Sequence, residues 1–404
     1  MKKNLLSYSL VLVFLFLLSG CRAPNHLAGG DAGGRTENDD QSSHSNEIQA
    51  GQLTAAEWSD LKNYNFYLSL FESSQTSANG IFSAYYNKGY FDTLNMVEVT
   101  VQNGDTLLKG ASVELYSANQ NLIYQAKTNI KGVAYLFPQS NEVDSITEVV
   151  VKYGDNVVRE DYEYSQSNNV LEIEMGDTNT IKDIIEIMFV VDTTGSMGDE
   201  IDYLKAEIDY VISEVKTLNP NTTVRLALLF YRDISDEYIT RYFDFTTDIE
   251  IQQRRLAEQT ASGGGDFEEA VDVALDEAVS KAWSDENTTK LLFHVLDAPP
   301  HYTKQNMTKY FQAIYNASKK GIHMIPVASS GIDKYTEYLL RNEAMMTGGT
   351  YVFLTDDSGI GEDHLEASVG EVVIEYLNNL LVRLINEYHT GVEGKKIPYY
   401  QQNN

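Results

Sequence analysis

Three oxygen-bearing side chains lie two residues apart at the end of an apolar run. The run IIEIMFVV leads directly into Asp192, Thr194 and Ser196. In a tight loop, a carboxylate and two hydroxyls at positions i, i+2 and i+4 can turn their oxygens toward one point. Oxygen donors without sulfur or imidazole suit Mg²⁺, Mn²⁺ or Ca²⁺. The spacing therefore makes this loop a candidate for binding a divalent cation.

Two other loops offer further carboxylates. Asp266 lies in SGGGDFEEA, before a helical pattern, and Asp297 lies in LDAPPH, after another apolar run. Carboxylates that are buried near one another are unfavourable unless a cation neutralises them. The glycines at 263–265 would let the second loop pass close to an ion. Asp266 has an alternative role as a helix cap, because Asp favours helix starts.

Apolar runs alternate with amphipathic helical patterns from about residue 183 onward. This alternation predicts a doubly wound α/β fold with a mostly parallel sheet and helices on both faces. Continuously apolar strands fit a sheet that is covered on both sides. Ligands of such sheets bind at the carboxyl ends of the strands, so we expect the three loops to meet in one crevice. The predicted strands are 184–191, 224–230, 290–296, 322–328 and, at an edge, 350–354, and the predicted helices are 201–215, 266–282, 303–319, 333–346 and 366–388.

The loop pattern resembles the metal-ion-dependent adhesion site of von Willebrand factor A (VWA) domains. That family carries an Asp-x-Ser-x-Ser loop, a later Thr and a later Asp. Asp192 matches the first Asp, Thr194 replaces the first Ser, and Ser196 matches the second. Asp297 matches the last Asp, and Asp266 lies at or near the position of the family's Thr. The resemblance thus implies a Mg²⁺ site, with Mn²⁺ or Ca²⁺ as alternatives.

The resemblance to VWA domains covers residues 183–390 and is closer still to one subgroup. That subgroup carries YRD, FDFT, GGGD-x-PE and DAPPH segments. The corresponding segments here are Tyr231–Asp233, Phe243–Thr246, Gly263–Glu269 and Asp297–His301. Phe267 and Glu268 depart from the pattern, while His301, alone beside two prolines, is expected to be exposed.

In the VWA family an acidic residue of a partner protein completes the coordination of the ion. The resemblance therefore implies a binding module without enzymatic activity, whose partner is a protein or a matrix-like ligand. A scaffold subunit of an envelope complex, with a structural metal or none, is the alternative. A serine hydrolase is a further alternative, because TGSMG at 194–198 approaches the G-x-S-x-G elbow with Ser196 as nucleophile. Asp297 and then His323, His364 or His389 follow in the required order, but Thr194 replaces the first Gly.

The preceding region, residues 54–178, predicts a helix followed by a small antiparallel β-sandwich. Thr54 and Glu57 fit a capping box at the start of the helix. Apolar residues then alternate with period two through residues 94–176, with Gly, Asn and Asp turns between the runs. The pieces LLKGASVELYS and AKTNIKGVAYLF resemble carboxypeptidase regulatory-like, or transthyretin-like, modules. This resemblance implies a spacer or a binding module.

The N-terminus has the pattern of a secretion signal. Two lysines precede an apolar run that is too short to span a bilayer comfortably. The sequence LSGC resembles the lipobox of bacterial lipoproteins, which implies cleavage after residue 20 and lipidation, as with palmitate, of Cys21. Residues 21–53 are predicted to be a flexible tether and residues 391–404 a disordered tail. We therefore expect an extracytoplasmic protein, lipid-anchored to the cell membrane or the outer membrane.

Composition limits the classes of function. The 404 residues indicate two or more domains. The chain has 59 Asp and Glu against 30 Lys and Arg, a net charge of −29, which argues against nucleic acid as a partner. With 7 His and 1 Cys, cysteine-rich zinc sites and internal disulfides are excluded.

Overall fold

The computed structural model describes residues 48–72, 81–86, 88, 90–165, 169–176, 180–285, 287–361 and 363–401. These residues belong to a compact unit, Glu47–Asn404. The predicted signal peptide, Cys21 and residues 21–47 of the predicted tether lie outside the described residues. Within the described ranges, each helix is too short or too polar to cross a membrane.

Sixteen strands and eight α-helices, joined by loops, form the described part of the chain. In chain order the strands are β1 Thr54–Trp58, β2 Val97–Asn103, β3 Thr106–Leu107, β4 Ser112–Ser117, β5 Leu122–Lys127, β6 Val133–Leu136, β7 Ile146–Tyr153, β8 Asn156–Asp161, β9 Val170–Glu174, β10 Ile184–Asp192, β11 Thr223–Tyr231, β12 Thr240–Thr246, β13 Thr289–Leu296, β14 Ile322–Ala328, β15 Tyr351–Leu354 and β16 Glu375–Tyr376. The helices are α1 Tyr64–Ser69, α2 Ser83–Tyr86, α3 Ile201–Leu218, α4 Ile249–Ala257, α5 Val271–Ser280, α6 Lys304–Lys320, α7 Lys334–Met346 and α8 Leu377–Thr390.

An eight-stranded sheet is the centre of the fold, with the order β12-β11-β10-β13-β14-β15-β1-β16. Within this order the five consecutive strands β11, β10, β13, β14 and β15 run parallel to one another. The antiparallel strand β12 closes one edge, and the sequence patterns did not predict it or helix α4. The doubly wound, mostly parallel α/β fold is thus confirmed.

The first strand corrects two predictions. Residues Thr54–Trp58 form a strand, so the Thr54–Glu57 capping box is wrong and the predicted helix is confirmed only in its second part, as α1 Tyr64–Ser69. This strand pairs antiparallel with β15, so residues 350–354 are not an edge. The backbone N–H and C=O groups of buried β15 need partners on both sides, and pairing with β1 supplies them. This long-range requirement outweighs the local helical pattern. Residues 51–53 are ordered too, since their amides donate to the Glu207 carboxylate at 2.9–3.2 Å.

Two apolar clusters cover the two faces of the sheet. Phe189 and Val191 of β10 face a cluster that includes residues of α3, α4 and α8. Met188 and Val190 point the opposite way, into a cluster with α5, α6 and α7. Alternate side chains of one strand thus enter different layers, as period two requires. This arrangement explains why the strands have apolar residues on both faces.

Local signals set the ends of the helices. The side chain of Thr303 accepts from Asn306 N at the start of α6, and that of Asp333 accepts from Thr336 N at the start of α7. Gly321 ends α6 with φ +66°, a left-handed conformation that Gly adopts without steric cost. Helix α8 begins at Leu377, so the predicted helix 366–388 is helical only in its second part.

Two small sheets are formed by the strands between β1 and β10 in the sequence. One has the order β3-β2-β6 with β9 beside β2, and the other has the order β5-β4-β7-β8. Their pairings are antiparallel except that of β2 with β9. Their buried residues, among them Val99 and Val113, belong to the same apolar cluster as residues of α5–α7. The small sheets therefore stabilise the fold together with one face of the central sheet.

The described part of the C-terminal tail is ordered, contrary to the prediction. Ile397 N donates to the Glu375 carboxylate at 3.0 Å, and Tyr399 N donates to Ile374 O at 3.0 Å. Residues 399–401 form a turn of 3₁₀ helix. These bonds hold the tail beside the edge strand β16.

Candidate metal centre

Three neighbouring strands bring the predicted ligand loops to one edge of the sheet. Strand β10 lies between β11 and β13. Its last residue, Asp192, is in register with Tyr231, the last residue of β11. On the other side Val191 is in register with Val295, two residues before Asp297. Asp192 and Asp297 therefore emerge at the same carboxyl edge, as parallel topology requires.

The Asp192 loop brings its carboxylate and hydroxyls together. Oδ1 of Asp192 accepts from Thr194 N at 2.8 Å and from Thr194 Oγ1 at 2.7 Å. Thr194 Oγ1 lies 3.2 Å from Ser196 Oγ. Asp192 is completely buried, and its Oδ2 has no hydrogen-bond partner among the described residues. This oxygen is thus available to a cation.

Electrostatic interactions tie Asp192 to Asp297 and to a residue that was not predicted, Glu269. Burial and the charge of Asp297 raise the pKa of Asp192 to about 7, although hydrogen bonds from Thr194 and Tyr231 oppose the rise. Burial raises the pKa of Glu269 to about 9, with contributions from Asp192, Asp233 and Asp297. Glu269 is 3% exposed, and its Oε2 also lacks a hydrogen-bond partner among the described residues. These carboxylates repel one another in a site shielded from water.

Asp266 lies beside Asp233 and His301. It is exposed, and it offers a carboxylate oxygen within 4.8 Å of ligand atoms of Asp233 and His301. Helix α5 begins only at Val271, so Asp266 does not cap it. His301 is not simply exposed either, because its Nε2 lies 2.6 Å from Asp233 Oδ1. Asp233, Asp266 and His301 form a polar cluster, called here the Asp–His cluster.

The glycine segment packs against the Asp192 loop. Gly263 O accepts from Gly195 N at 3.1 Å, and Gly264 N donates to Asp236 Oδ2 at 2.9 Å. A Cβ at Gly264 would lie 3.0 Å from Glu269 Oε1 and 3.4 Å from the Thr194 Cβ. Both glycines have positive φ, +87° and +77°. Only glycine meets these two requirements without strain, so the segment is shaped for close approach.

Hydrogen bonds of Arg232 and Thr193 connect the loops that follow β10 and β11 with the segment before the glycines. Thr193 Oγ1 donates to Tyr231 O at 2.9 Å. Arg232 Nε donates to Thr193 O at 3.1 Å, and its Nη2 donates to Thr260 O at 2.9 Å. These bonds link the ends of β10 and β11 to the chain that leads into the glycine segment. The loops are therefore fixed before any ligand binds.

A chain of buried polar groups runs beneath the site. The Tyr231 hydroxyl lies 3.4 Å from His294 Nε2, and His294 Nδ1 lies 3.1 Å from the Glu343 carboxylate. Tyr310 donates to Glu343 at 2.9 Å. All four residues are completely buried. Burial, together with Asp192 and Asp297, raises the pKa of Tyr231, so its hydroxyl stays protonated.

The residues present fit a divalent cation. Asp192, Asp297 and Glu269 supply carboxylates, and Thr194 and Ser196 supply hydroxyls, which are hard oxygen donors. A cation would counteract both the burial and the mutual repulsion that raise the carboxylate pKa values, and it would pair with the buried Asp192 Oδ2. Glu269 and Asp233 lie in the GGGDFEE and YRD segments, so a signal for them exists in the sequence. The two segments are far apart along the chain, so the sequence alone does not show that they meet in the fold.

The histidines considered for a hydrolase contact other groups. His323 Nδ1 lies 2.8 Å from Thr347 O. His364 contacts Asp356 at 2.8 Å, and His389 contacts Thr289 at 3.1 Å. The Ser196 hydroxyl instead lies 3.2 Å from Thr194 Oγ1. The geometry thus gives no support to a triad around Ser196.

Comparisons with known proteins agree with the VWA resemblance. Residues 186–356 match the family model of the von Willebrand factor A domain. An ariadne-like RING finger protein of Acanthamoeba polyphaga mimivirus is 24% identical over 219 residues, 52% of this chain and 21% of the relative. The alpha-protein kinase vwkA of Dictyostelium discoideum is 29% identical over 123 residues, 30% of this chain and 19% of the relative. The chain therefore spans about a fifth of the length of these two relatives.

One solved structure is also similar in part. It is the crystal structure of a conserved hypothetical protein, BatB from Bacteroides thetaiotaomicron. Its sequence is 13% identical, and the match covers 50% of this chain and 98% of that chain with a TM-score of 0.35.

Proposed function

We propose that the VWA domain at residues 186–356 is a divalent-cation-dependent binding module. Its ligand is an acidic group on a protein or a matrix-like surface, and the ion is Mg²⁺. Asp192, Thr194, Ser196 and Asp297 hold the ion, and Glu269 takes the place proposed from the sequence for Asp266. The observation that carries this proposal is the buried, unpartnered Asp192 Oδ2 beside the charges of Asp297 and Glu269.

The composition of the site favours recognition of an anionic ligand through the metal. Two of the five proposed ligands, Thr194 and Ser196, carry no charge, so they neutralise the cation less than two further carboxylates would. Burial strengthens the attraction between the ion and an incoming carboxylate, since it lowers the local dielectric constant. The surrounding acids would repel a free anion, so binding depends on the ion.

The N-terminal sequence extends the proposal to location. Lipidation of Cys21 would hold the protein on a membrane outside the cytoplasm, with residues 22–47 between the anchor and the described region. Acyl chains contribute about 0.8 kcal/mol per buried methylene group, so several chains give firm attachment. Mass spectrometry of the membrane fraction tests this part: a diacylated N-terminal Cys21 supports it, and an unmodified chain beginning at Met1 contradicts it.

Calorimetric titration tests the metal site. We expect Mg²⁺ to bind the wild-type chain and Asp209→Asn, in which an exposed acid of α3 is neutralised. We expect Asp192→Asn and Asp297→Asn to lose binding at least tenfold. Absence of Mg²⁺, Mn²⁺ and Ca²⁺ binding to the wild type would leave only the scaffold role.

Ligand recognition requires a second measurement. A panel of immobilised peptides, each with a central Asp or its Asn counterpart, is incubated with the protein in Mg²⁺ or in chelator. Capture by Asp peptides in Mg²⁺ alone, lost in Asp192→Asn, supports the proposal. Capture that survives the chelator would contradict it.

A further inference from the structure

A lysine-lined cavity lies at the opposite end of the central sheet from the metal centre. It has a volume of about 400 Å³ and is bordered by the segment before β4, the ends of β5 and β7, the start of β13 and the end of α6. Six of the chain's 30 Lys and Arg residues line it. They are Lys109, Lys127, Lys152, Lys182, Lys290 and Lys320. This concentration of cations is unexpected in a chain of net charge −29.

The two deepest lysines have neutral partners. Lys109 is 4% exposed and Lys290 is 5% exposed. Lys109 Nζ donates to Thr289 Oγ1 at 2.9 Å, and Lys290 Nζ donates to Lys320 O at 3.3 Å. Neither ammonium group forms an ion pair with a carboxylate of the described residues. A buried charge without a counter-ion is unfavourable, and lysine is seldom buried unless it is paired.

The acidic groups nearby do not balance the lysines. Asp285 is the acid that lines the cavity among the described residues, and it favours the charged forms of Lys127 and Lys290. Glu114 is bound by Lys152 at 2.7 Å. Glu186 also favours a charged Lys290, but its carboxylate is paired with Arg225. The cavity therefore keeps an excess of positive charge.

The lowered pKa values of the buried lysines show that their positive charges lack sufficient negative partners. Burial and the charge of Lys290 lower the pKa of Lys109 to about 8. Burial and the charge of Lys127 likewise lower the pKa of Lys290 to about 8. His323, which also lines the cavity, is neutral because burial lowers its pKa to about 4. An anion in the cavity would stabilise the charged lysines.

We propose that this cavity binds a small oxyanion with at least two negative charges, such as a phosphate- or sulfate-bearing molecule. Lys109 and Lys290 are the buried lysines of the cavity, and the more exposed Lys127, Lys152, Lys182 and Lys320 complete its lysine lining. Thr128 and Asn287 supply neutral polar groups in the lining. Ammonium groups bind phosphate as point charges, so several lysines around one cavity suit a multivalent anion.

The site is independent of the metal centre. Lys290 and Asp297 are separated by seven residues along β13 and its continuation, which corresponds to about 23 Å at about 3.3 Å per residue. Loss of anion binding and loss of metal binding are therefore separate outcomes. A failure of either proposal leaves the other standing.

Calorimetric titration with pyrophosphate at pH 7 tests the proposal. We expect binding to wild type and to Lys216→Met, which removes an exposed lysine of α3. We expect at least tenfold weaker binding to Lys109→Met and to Lys290→Met. Equal binding to all four proteins, or none to the wild type, would overturn the proposal.

Stability measurements and chemical labelling distinguish loss of the anion site from misfolding of a variant. Without pyrophosphate, we expect Lys290→Met to melt no lower than the wild type, because the substitution removes a buried unpaired charge. In the wild type, pyrophosphate should slow acetylation of Lys109 and Lys290 by acetic anhydride at least threefold, while Lys216 reacts at an unchanged rate. Absence of this protection would also overturn the proposal.

The phosphate could be free in solution or part of a lipid headgroup. Co-sedimentation with phosphatidylcholine vesicles, with and without phosphatidic acid, distinguishes these sources. Binding to phosphatidic acid that Lys109→Met abolishes would assign a lipid headgroup. Pyrophosphate binding with no recruitment to either vesicle would assign a soluble oxyanion.

Discussion

Nε2 of His301 lies 2.6 Å from Oδ1 of Asp233. This contact joins the loop after β13 to the loop after β11, across the end of β10. Because Asp233 is one of the charges that act on Glu269, its position affects the metal centre. Groups that orient ligands in this way typically change metal affinity 10- to 100-fold when they are removed.

We therefore expect His301→Ala to weaken Mg²⁺ binding about tenfold, in the range for groups that position ligands. Calorimetric titration of the variant measures the change in Mg²⁺ affinity. Asp192→Asn, which lacks a direct ligand, shows the affinity expected when the site is lost. His301→Gln, which retains a donor, should recover part of the affinity. Unchanged affinity in His301→Ala would show that the Asp–His cluster acts independently of the Asp192 site.

The metal-free protein should lose stability as the pH rises. The ordinary pKa values are 3.8 for Asp192 and 4.5 for Glu269, whereas the folded values are about 7 and about 9. Between the ordinary and the raised values, the folded state binds more protons than the unfolded chain. The free energy of unfolding consequently falls with rising pH through this window. Thermal melts in chelator at pH 5, 7 and 9 should show a decreasing Tm.

Saturating Mg²⁺ should weaken or reverse this pH dependence, because the ion takes the place of the protons. In chelator at pH 9, Glu269→Gln should have a higher Tm than the wild type. Its free energy of unfolding should be greater by about 1 to 3 kcal/mol, because an unsatisfied buried polar group usually costs that much. The neighbouring Glu268→Gln is the matched control and should melt like the wild type. A Tm in chelator that rises from pH 5 to pH 9 would contradict the arrangement of buried carboxylates.

Substitutions at two glycines allow the effect of backbone strain to be distinguished from the effect of steric crowding at the site. Gly263 and Gly331 have nearly the same φ, +87° and +89°. A Cβ at Gly263 would lie 2.5 Å from the Asp236 Cγ, whereas a Cβ at Gly331 would meet nothing within 4 Å. Asp236 cannot move freely, since its Oδ2 accepts from Gly264 N at 2.9 Å and Asp233 N at 3.0 Å.

We expect both Gly263→Ala and Gly331→Ala to lose about 1 to 2 kcal/mol of stability from the left-handed conformation alone. Gly263→Ala should lose more, and only this variant should weaken Mg²⁺ binding. Chemical denaturation and calorimetry measure the two effects. Equal stability losses with unchanged Mg²⁺ affinity in both variants would show that the glycine segment does not position the site.

The sequence predicted the sheet because its signals are local. Apolar runs such as 184–191 mark strands that are buried on both faces, and the alternation with helices sets their parallel order. Strand β1 was missed because TAAEW has a helical local pattern, and its pairing with β15 depends on a segment almost three hundred residues away. The contributions of Glu269 and Asp233 likewise depend on how three loops converge.

The buried chain beneath the metal centre gives a last prediction. His294 lies between the Tyr231 hydroxyl and the Glu343 carboxylate, and all three are completely buried. Replacing His294 with Leu leaves the Glu343 carboxylate without one of its partners. Leaving a buried acceptor without a hydrogen-bond partner typically costs about 1 to 3 kcal/mol, and more when the group is charged. Because the charge of Asp192 acts on Tyr231, we also expect His294→Leu to change Mg²⁺ affinity.

Tyr310→Phe is the matched control for His294→Leu. It removes the 2.9 Å hydrogen bond at the far end of the chain, on the other side of Glu343 from the metal centre. We expect it to cost about 1 kcal/mol, as for a single hydrogen bond, and to leave Mg²⁺ affinity unchanged. Denaturant titration and calorimetry on the two variants and on their double mutant measure the coupling. If Tyr310→Phe weakens Mg²⁺ binding as much as His294→Leu does, the effect is a general loss of packing, and the buried chain does not link the metal centre to α7.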